Sequence, residues 1–205
     1  FHENVLGTAS GDGSVKVWMI PDEGLTSNLT TSDCDAEMLG HTKKVMLMKW
    51  HPTAEFTIAS ASMDGTIKIW DVQNEACVFD YPNLASVPWA MDWNNDGSQI
   101  AAINKDKKMH IVDPRQLDTA METQAHQGSK SQRVQWIGDT GKIMTMGSSD
   151  FNERQYAVFD SRDFTKPITL KKLDNEKLTS TMYYDHSIST VYVANKGANF
   201  TQFFF

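Results

Sequence analysis

Cysteine is scarce in this 205-residue chain: Cys34 and Cys77 are its two, and no CxxC pair or clustered histidines accompany them. Neither a zinc site nor a disulfide framework is therefore expected, and a reducing compartment suits the usage. Long apolar runs are missing as well. No stretch of about 18 apolar residues occurs, and the opening FHENV lacks the basic segment and apolar core of a secretory signal, so no membrane span and no leader are expected. Positive charge is in deficit, with 19 Lys and Arg against 26 Asp and Glu for a net charge of −7. A general nucleic-acid binder needs the opposite balance, so any acidic partner must be met by a local patch. Catalytic signatures are absent too. Without a GxxxxGK[ST] loop or a GxSxG turn there is no simple nucleotide site or serine nucleophile, and no cofactor, metal or enzymatic activity is expected.

What is present is ordinary globular material, 40% hydrophobic and 22% charged, which excludes wholesale disorder. Its organising stretch is GHTKKVMLMKWHPTAEFTIASASMDGTIKIWD, from Gly40 to Asp71. VMLMKW, FTIASAS and TIKIWD read as three antiparallel strands, joined by HPTAE and by the tight turn MDG. Four residue types then share a task. A buried imidazole at His41 can bond the hydroxyl of Ser60 or Ser62 and the carboxylate of Asp64, with the Trp70 indole N–H closing the set. This is one complete WD-repeat signature, and its polar network is expected to hold the blade together. The same residue types superficially offer a hydrolytic triad, but nothing supplies an exposed nucleophile or an oxyanion site.

Self-similarity extends this unit along the chain. Trp50, Trp93, Trp136 and Tyr184 end successive first strands at steps of 43, 43 and 48 residues. A second marker, a turn residue followed six positions later by a bulky one, recurs as Asp12 and Trp18, Asp64 and Trp70, Asp106 and Val112, Glu153 and Phe159, and Ala198 and Phe204. A period of roughly 40 to 50 residues with short strands means a propeller. The expected architecture is all-β, an incomplete WD-repeat β-propeller of about three full blades plus two partial ones. Residues 1–20 read as the end of a blade, 21–39 as a loop and outer strand, 40–83, 84–124 and 125–172 as blades, and 173–205 as a partial blade. A ring needs roughly four to eight similar blades, so the chain is read as a fragment of a longer protein.

Between the repeats lie phrases that resemble one family. FHENV, IPDEGL, LGHTKKV, WHPTA, WNNDGS, KDKKMHIVDPR, GKIMTMG, ERQYAVFD and VYVANKG are similar to the coronins, actin-binding propeller proteins, and several fall in loops where repeat architecture imposes little. The resemblance implies seven blades, with an initial blade, the closing blade and a coiled-coil extension outside this sequence that carry oligomerisation and much of the actin contact. It also implies filamentous actin as partner, the actin-related-protein nucleator complex as a further candidate, and a cytoplasmic, cytoskeletal location. A general WD-repeat adaptor that holds peptides over the channel is the alternative. Departures occur at Ala198 and Gln202, where the family has an Asp and a basic residue, and in SSDFNE, which replaces an aromatic or basic-rich loop before ERQ.

Strand alternation assigns loops to two rims. Lys43, Lys44, Lys105, Lys107, Lys108, Lys130, Arg133 and Arg154 fall on one and are the candidate partner-binding residues. On the other fall Asp71, Glu75, Asp96, Asp113, Asp118, Asp139, Asp160, Asp163 and Asp185, relieved by Arg115, Lys142, Arg162 and Lys166. A comparatively basic face on an acidic protein would steer it onto an acidic filament, although charge runs are usually only solvated surface. His51, His110, His126 and His186 lie on separate units, with His126 placed to imitate His41. Asn28 with Thr30 and Asn199 with Thr201 match glycosylation triplets by chance, since the chain shows no secretory route.

Overall fold

A computed structural model describes residues 3–25, 28–82, 84–116, 121–175, 178–197 and 201–204; Asp118, Ala198 and Asn199 lie outside the described residues. The chain divides into two compact units, Phe1–Val87 and Pro88–Phe205. Every sheet in both is antiparallel.

The first unit holds two sheets. One is β1 (Val5–Ala9), β2 (Val15–Met19) and β3 (Ala36–Met38), in that order, so the third strand is reached across a long polar connection containing a single 3-10 turn at Thr31–Asp33. The other runs β4 (Val45–Trp50), β5 (Thr57–Ser62), β6 (Ile67–Asp71) and β7 (Ala76–Tyr81). Central strands β5 and β6 are buried on both faces, whereas outer β7 is mostly exposed. That gradient explains why TIASAS is small and apolar while ACVFDY tolerates a charge. Val15, Val17, Met38, Val45, Ile58, Trp70 and Val72 form the core that joins the two sheets, with Met48 and Trp50 packed against it.

The second unit holds three sheets. The first is β8 (Pro88–Trp93), β9 (Ile100–Asn104), β10 (Lys108–Val112) and β11 (Met121–Gln124); the second is β12 (Arg133–Ile137), β13 (Lys142–Ser148), β14 (Arg154–Asp160) and β15 (Thr169–Asp174). The third is β16 (Ser180–Asp185), β17 (Thr190–Asn195) and β18 (Thr201–Phe204). Ile103, Met109, Ile111, Trp136, Ile143 and Phe159 weld the first two, and Met144, Met146, Tyr184, Val191 and Val193 the second and third. A buried carboxylate reinforces the first junction. Asp92 on β8 accepts the Gln135 side-chain amide (2.6 Å) and the Trp136 backbone N–H (3.0 Å) of β12. The fold class is thus all-β, built of WD-repeat propeller blades.

One backbone feature repeats in every sheet. Among the described residues, the hairpins β1–β2, β5–β6, β9–β10, β13–β14 and β17–β18 each contain one left-handed residue: Gly13 (φ 94°), Gly65 (84°), Lys107 (71°), Asn152 (63°) and Gly197 (83°). At Gly65 glycine is also required sterically, because a Cβ would lie 2.7 Å from the Leu84 carbonyl oxygen. In the last two hairpins the left-handed residue precedes Glu153 and Ala198, instead of following the turn residue as Gly13 and Gly65 do. A β-bulge likewise recurs at the start of β4, between Val45 and Leu47, and of β8, between Pro88 and Ala90. Each adds local twist.

Candidate functional site

In the first unit, the connection before β4, strand β5, the β5–β6 hairpin and strand β6 bring together four of the five residues of the expected polar network. His41 Nδ1 lies 3.0 Å from Asp64 Oδ2 and its Nε2 lies 2.8 Å from Ser60 Oγ, which also accepts the Trp70 indole N–H at 2.7 Å. The hydroxyl is Ser60, not Ser62. Ser62 Oγ instead donates to the carbonyls of Lys43 (2.9 Å) and Lys44 (3.0 Å) and accepts the Asp64 N–H (3.2 Å), closing the neighbouring turn. Thr66 is the member the sequence reading missed. Its hydroxyl and N–H both donate to Asp64 Oδ1, at 2.8 and 3.0 Å, and an Asp two residues before a Thr is the signal for such an Asx turn.

This constellation is chemically closed. Burial holds the His41 imidazole below its ordinary pKa, against the opposing bond and charge of Asp64. A neutral ring that donates from Nδ1 to Asp64 must accept at Nε2, so Ser60 donates there while accepting from Trp70. Ser60 is fully buried, and its hydroxyl has no free valence for a substrate. The arrangement can lock a blade. Lys43 and Lys44 stand exposed on the connection it anchors.

In the second unit, three loops on one rim are stitched into a continuous surface. Lys107 Nζ, on the β9–β10 hairpin, donates to the Gln127 carbonyl; Gly128 N donates to Ser148 O at 2.7 Å; and Lys130 Nζ reaches Asn152 O at 3.4 Å. Hydrogen bonds therefore link the β9–β10 hairpin, the 125–132 connection and the β13–β14 hairpin. Lys105 and Lys108 are exposed on this rim, Lys108 paired with Glu122 at 2.8 Å, while Lys107 and Lys130 are half-buried. Arg133 is half-buried and spends its guanidinium on Ser131 Oγ (2.6 Å) and Gln132 O (3.0 Å). Arg154 does not reach the surface. It is 2% exposed, gripping Asp174 with two bonds of 2.7 Å and the Lys196 carbonyl at 3.3 Å, so its charge is consumed inside the blade.

Beneath this rim sits His126, at the position equivalent to His41 but in a different electrostatic setting. Among the described residues no carboxylate faces it: Nε2 lies 2.9 Å from Thr145 Oγ1, and the Gln155 amide lies 2.9 Å from Nδ1. A Cβ on Gly147 would sit 2.5 Å from its ring, so glycine there makes the room. Burial with little compensation pushes the imidazole down to about 4. The unfolded state, with its pKa near 6.5, then binds the extra proton, so this share of stability is present above about pH 6.5 and is lost as pH falls toward about 4. The protein should be about 2 kcal/mol less stable at pH 5 than at pH 7 from this group. Urea unfolding at the two pH values, with His126→Gln beside the parent, checks it; an equal pH dependence in both would remove His126 as the cause.

His51 and His186 serve locally. His51 Nδ1 accepts the N–H groups of Thr53 (3.2 Å) and Ala54 (2.8 Å), and His186 packs edge-on against Tyr184 at 4.8 Å. Among the described residues no cluster of acidic, His or Cys side chains could hold a metal. On the opposite rim of the second unit, Asp96 and Asp139 border an open polar cleft of about 320 Å³ with Asn94, Asn95 and Trp136. No helix among the described residues is long and apolar enough to cross a membrane.

Comparison with known proteins converges on one lineage. A family profile described as "WD domain, G-beta repeat" matches residues 32–71, the unit built on the His41 network. Human Coronin-2A is 32% identical over 202 residues, covering 96% of this chain and 38% of that protein. Over nearly its whole length the chain is similar to coronins. Coronin-like protein crn1 of Schizosaccharomyces pombe is 31% identical, covering 96% of this chain and 33% of its own length. The crystal structure of the WD40 domain from Toxoplasma gondii coronin superposes with a TM-score of 0.91 at 28% identity, over 99% of this chain and 53% of that one. The chain thus spans well under half of these two curated coronin relatives, and the match runs through blades and loops alike.

Proposed function

We propose that this chain belongs to a non-catalytic coronin-type propeller that binds filamentous actin and helps organise the actin cytoskeleton in the cytoplasm. The observation that carries the reading is coronin similarity over 96% of the chain, loops included. The stitched rim of the second unit is consistent with it. Lys105, Lys107, Lys108 and Lys130 cluster there on a protein of net charge −7, which would orient approach to an acidic filament and concentrate the attraction on one face. The closed Ser60 hydroxyl supports a scaffold rather than a hydrolase. Lys43 and Lys44 provide a second, separate basic site on the first unit.

Replacing Lys105, Lys107 and Lys108 together by Glu in the full-length protein should weaken co-sedimentation with actin filaments about tenfold at low salt and flatten its salt dependence. Circular dichroism should be unchanged, because these side chains do not build the core. Unaltered binding would reject the rim as the docking face.

A further inference from the structure

We propose that the β13–β14 hairpin supplies the apolar anchor of this docking face, inserting Phe151 into a hydrophobic pocket on the acidic partner. The inference rests on the filament-docking reading above and adds the residue that a charged rim alone lacks. Phe151 is 85% exposed, more than any other large hydrophobic side chain among the described residues. At that exposure its ring contributes almost nothing to the core, and hairpin tips favour Gly, Asn, Asp and Ser, so the turn itself does not call for a phenyl group.

The hairpin that carries it is held rigid. Ser149 N donates to Glu153 O at 2.9 Å, Asn152 N to Ser149 O at 2.9 Å, and Glu153 N to Ser149 Oγ at 3.2 Å. Asn152 takes the left-handed conformation at φ 63°, and Glu153 is tied to Lys172 at 2.7 Å. From the flank, Lys130 Nζ reaches Asn152 O at 3.4 Å. An aromatic held out on a fixed stalk loses little conformational freedom on docking, which is the condition for a hot spot.

Charge selects the partner. With Glu153 neutralised by Lys172, Lys105, Lys107 and Lys130 outnumber Asp106 and Asp150 on these loops, so the pocket that accepts the ring lies in acidic surroundings. Lys130 ties the two features into one site, because the cation that braces the hairpin belongs to the basic connection. A surface of this kind combines steering by charge with retention by an apolar plug.

The test is filament co-sedimentation of full-length protein at several salt concentrations, comparing the parent with Phe151→Ala and Phe151→Trp. Phe151→Ala should bind about 30-fold more weakly with an unchanged salt slope and an unchanged melting temperature, and Phe151→Trp should bind as the parent does. If the parent pellets with filaments and Phe151→Ala does so within twofold, the anchor is overturned while the basic rim stands. If the parent does not pellet at all, the filament reading fails and the anchor with it. If Phe151→Ala instead abolishes self-association in sedimentation velocity, the ring docks on a second copy and the acidic-filament assignment is overturned.

Discussion

Replacing Trp70 by Ala is expected to destabilise the protein by about 4 kcal/mol, in the upper part of the range for single core truncations. Trp70 is fully buried at the centre of the first unit's core, between Val17, Met38, Ile58 and Val72. Its indole N–H also donates to Ser60 Oγ, at 2.7 Å, and His41 approaches its ring edge-on at 5.9 Å. Truncation would therefore empty a large volume and loosen the imidazole that Asp64 holds. Trp70→Phe separates the two effects, keeping most of the aromatic bulk while deleting the N–H, and should cost about 2 kcal/mol. A double-mutant cycle with Ser60→Ala should give a coupling of about 1 kcal/mol, because each single change already breaks the shared bond. Urea unfolding measures the parent and each of these variants; a Trp70→Ala loss below about 1 kcal/mol would mean that the network is not what holds this blade.

Removing the Arg154 guanidinium should be comparably damaging, with Arg154→Ala costing about 3 to 5 kcal/mol. The side chain is 3% exposed and its partner Asp174 only 23%, so deletion removes two bonds from a partly buried carboxylate and one from the Lys196 carbonyl. Lys is a poor substitute, since one ammonium cannot reproduce two parallel bonds of 2.7 Å to a carboxylate and a third to a carbonyl. Exchanging both members of the pair, as Arg154→Met with Asp174→Leu, should recover most of the loss, because the cost of a broken buried pair lies in the charge left behind. Chemical unfolding of the three variants checks the order. Equal stability of the single and the double variants would show that the penalty is packing rather than charge.

Much of this was legible along the chain because a blade is a local object. Its strands are consecutive hairpins, so alternation and turn chemistry act between neighbours in sequence, and Trp50, Trp93, Trp136 and Tyr184 mark them. The left-handed hairpin residue was legible as Gly13 and Gly65 but not as Lys107, because a lysine does not advertise a conformation that its surroundings impose. Ser60 and Ser62 share one face of β5 by period two, so pattern could narrow the hydroxyl to the pair and no further. Only the distance from His41 separates them.

The sequence by itself determined the repeat, the all-β class, the acidic balance and the phrases that tie the chain to coronins. These follow from short-range periodicity and composition, which survive in one dimension. Tertiary structure decided which charges are spent and which are free. Arg154 and Lys105 both belong to basic loop phrases, yet one is sealed onto Asp174, 20 residues away, and the other stands in solvent. It also decided that Phe151 projects from a braced hairpin instead of folding back onto it. Burial and pairing are set by which distant strands meet, and no spacing rule along the chain encodes that meeting.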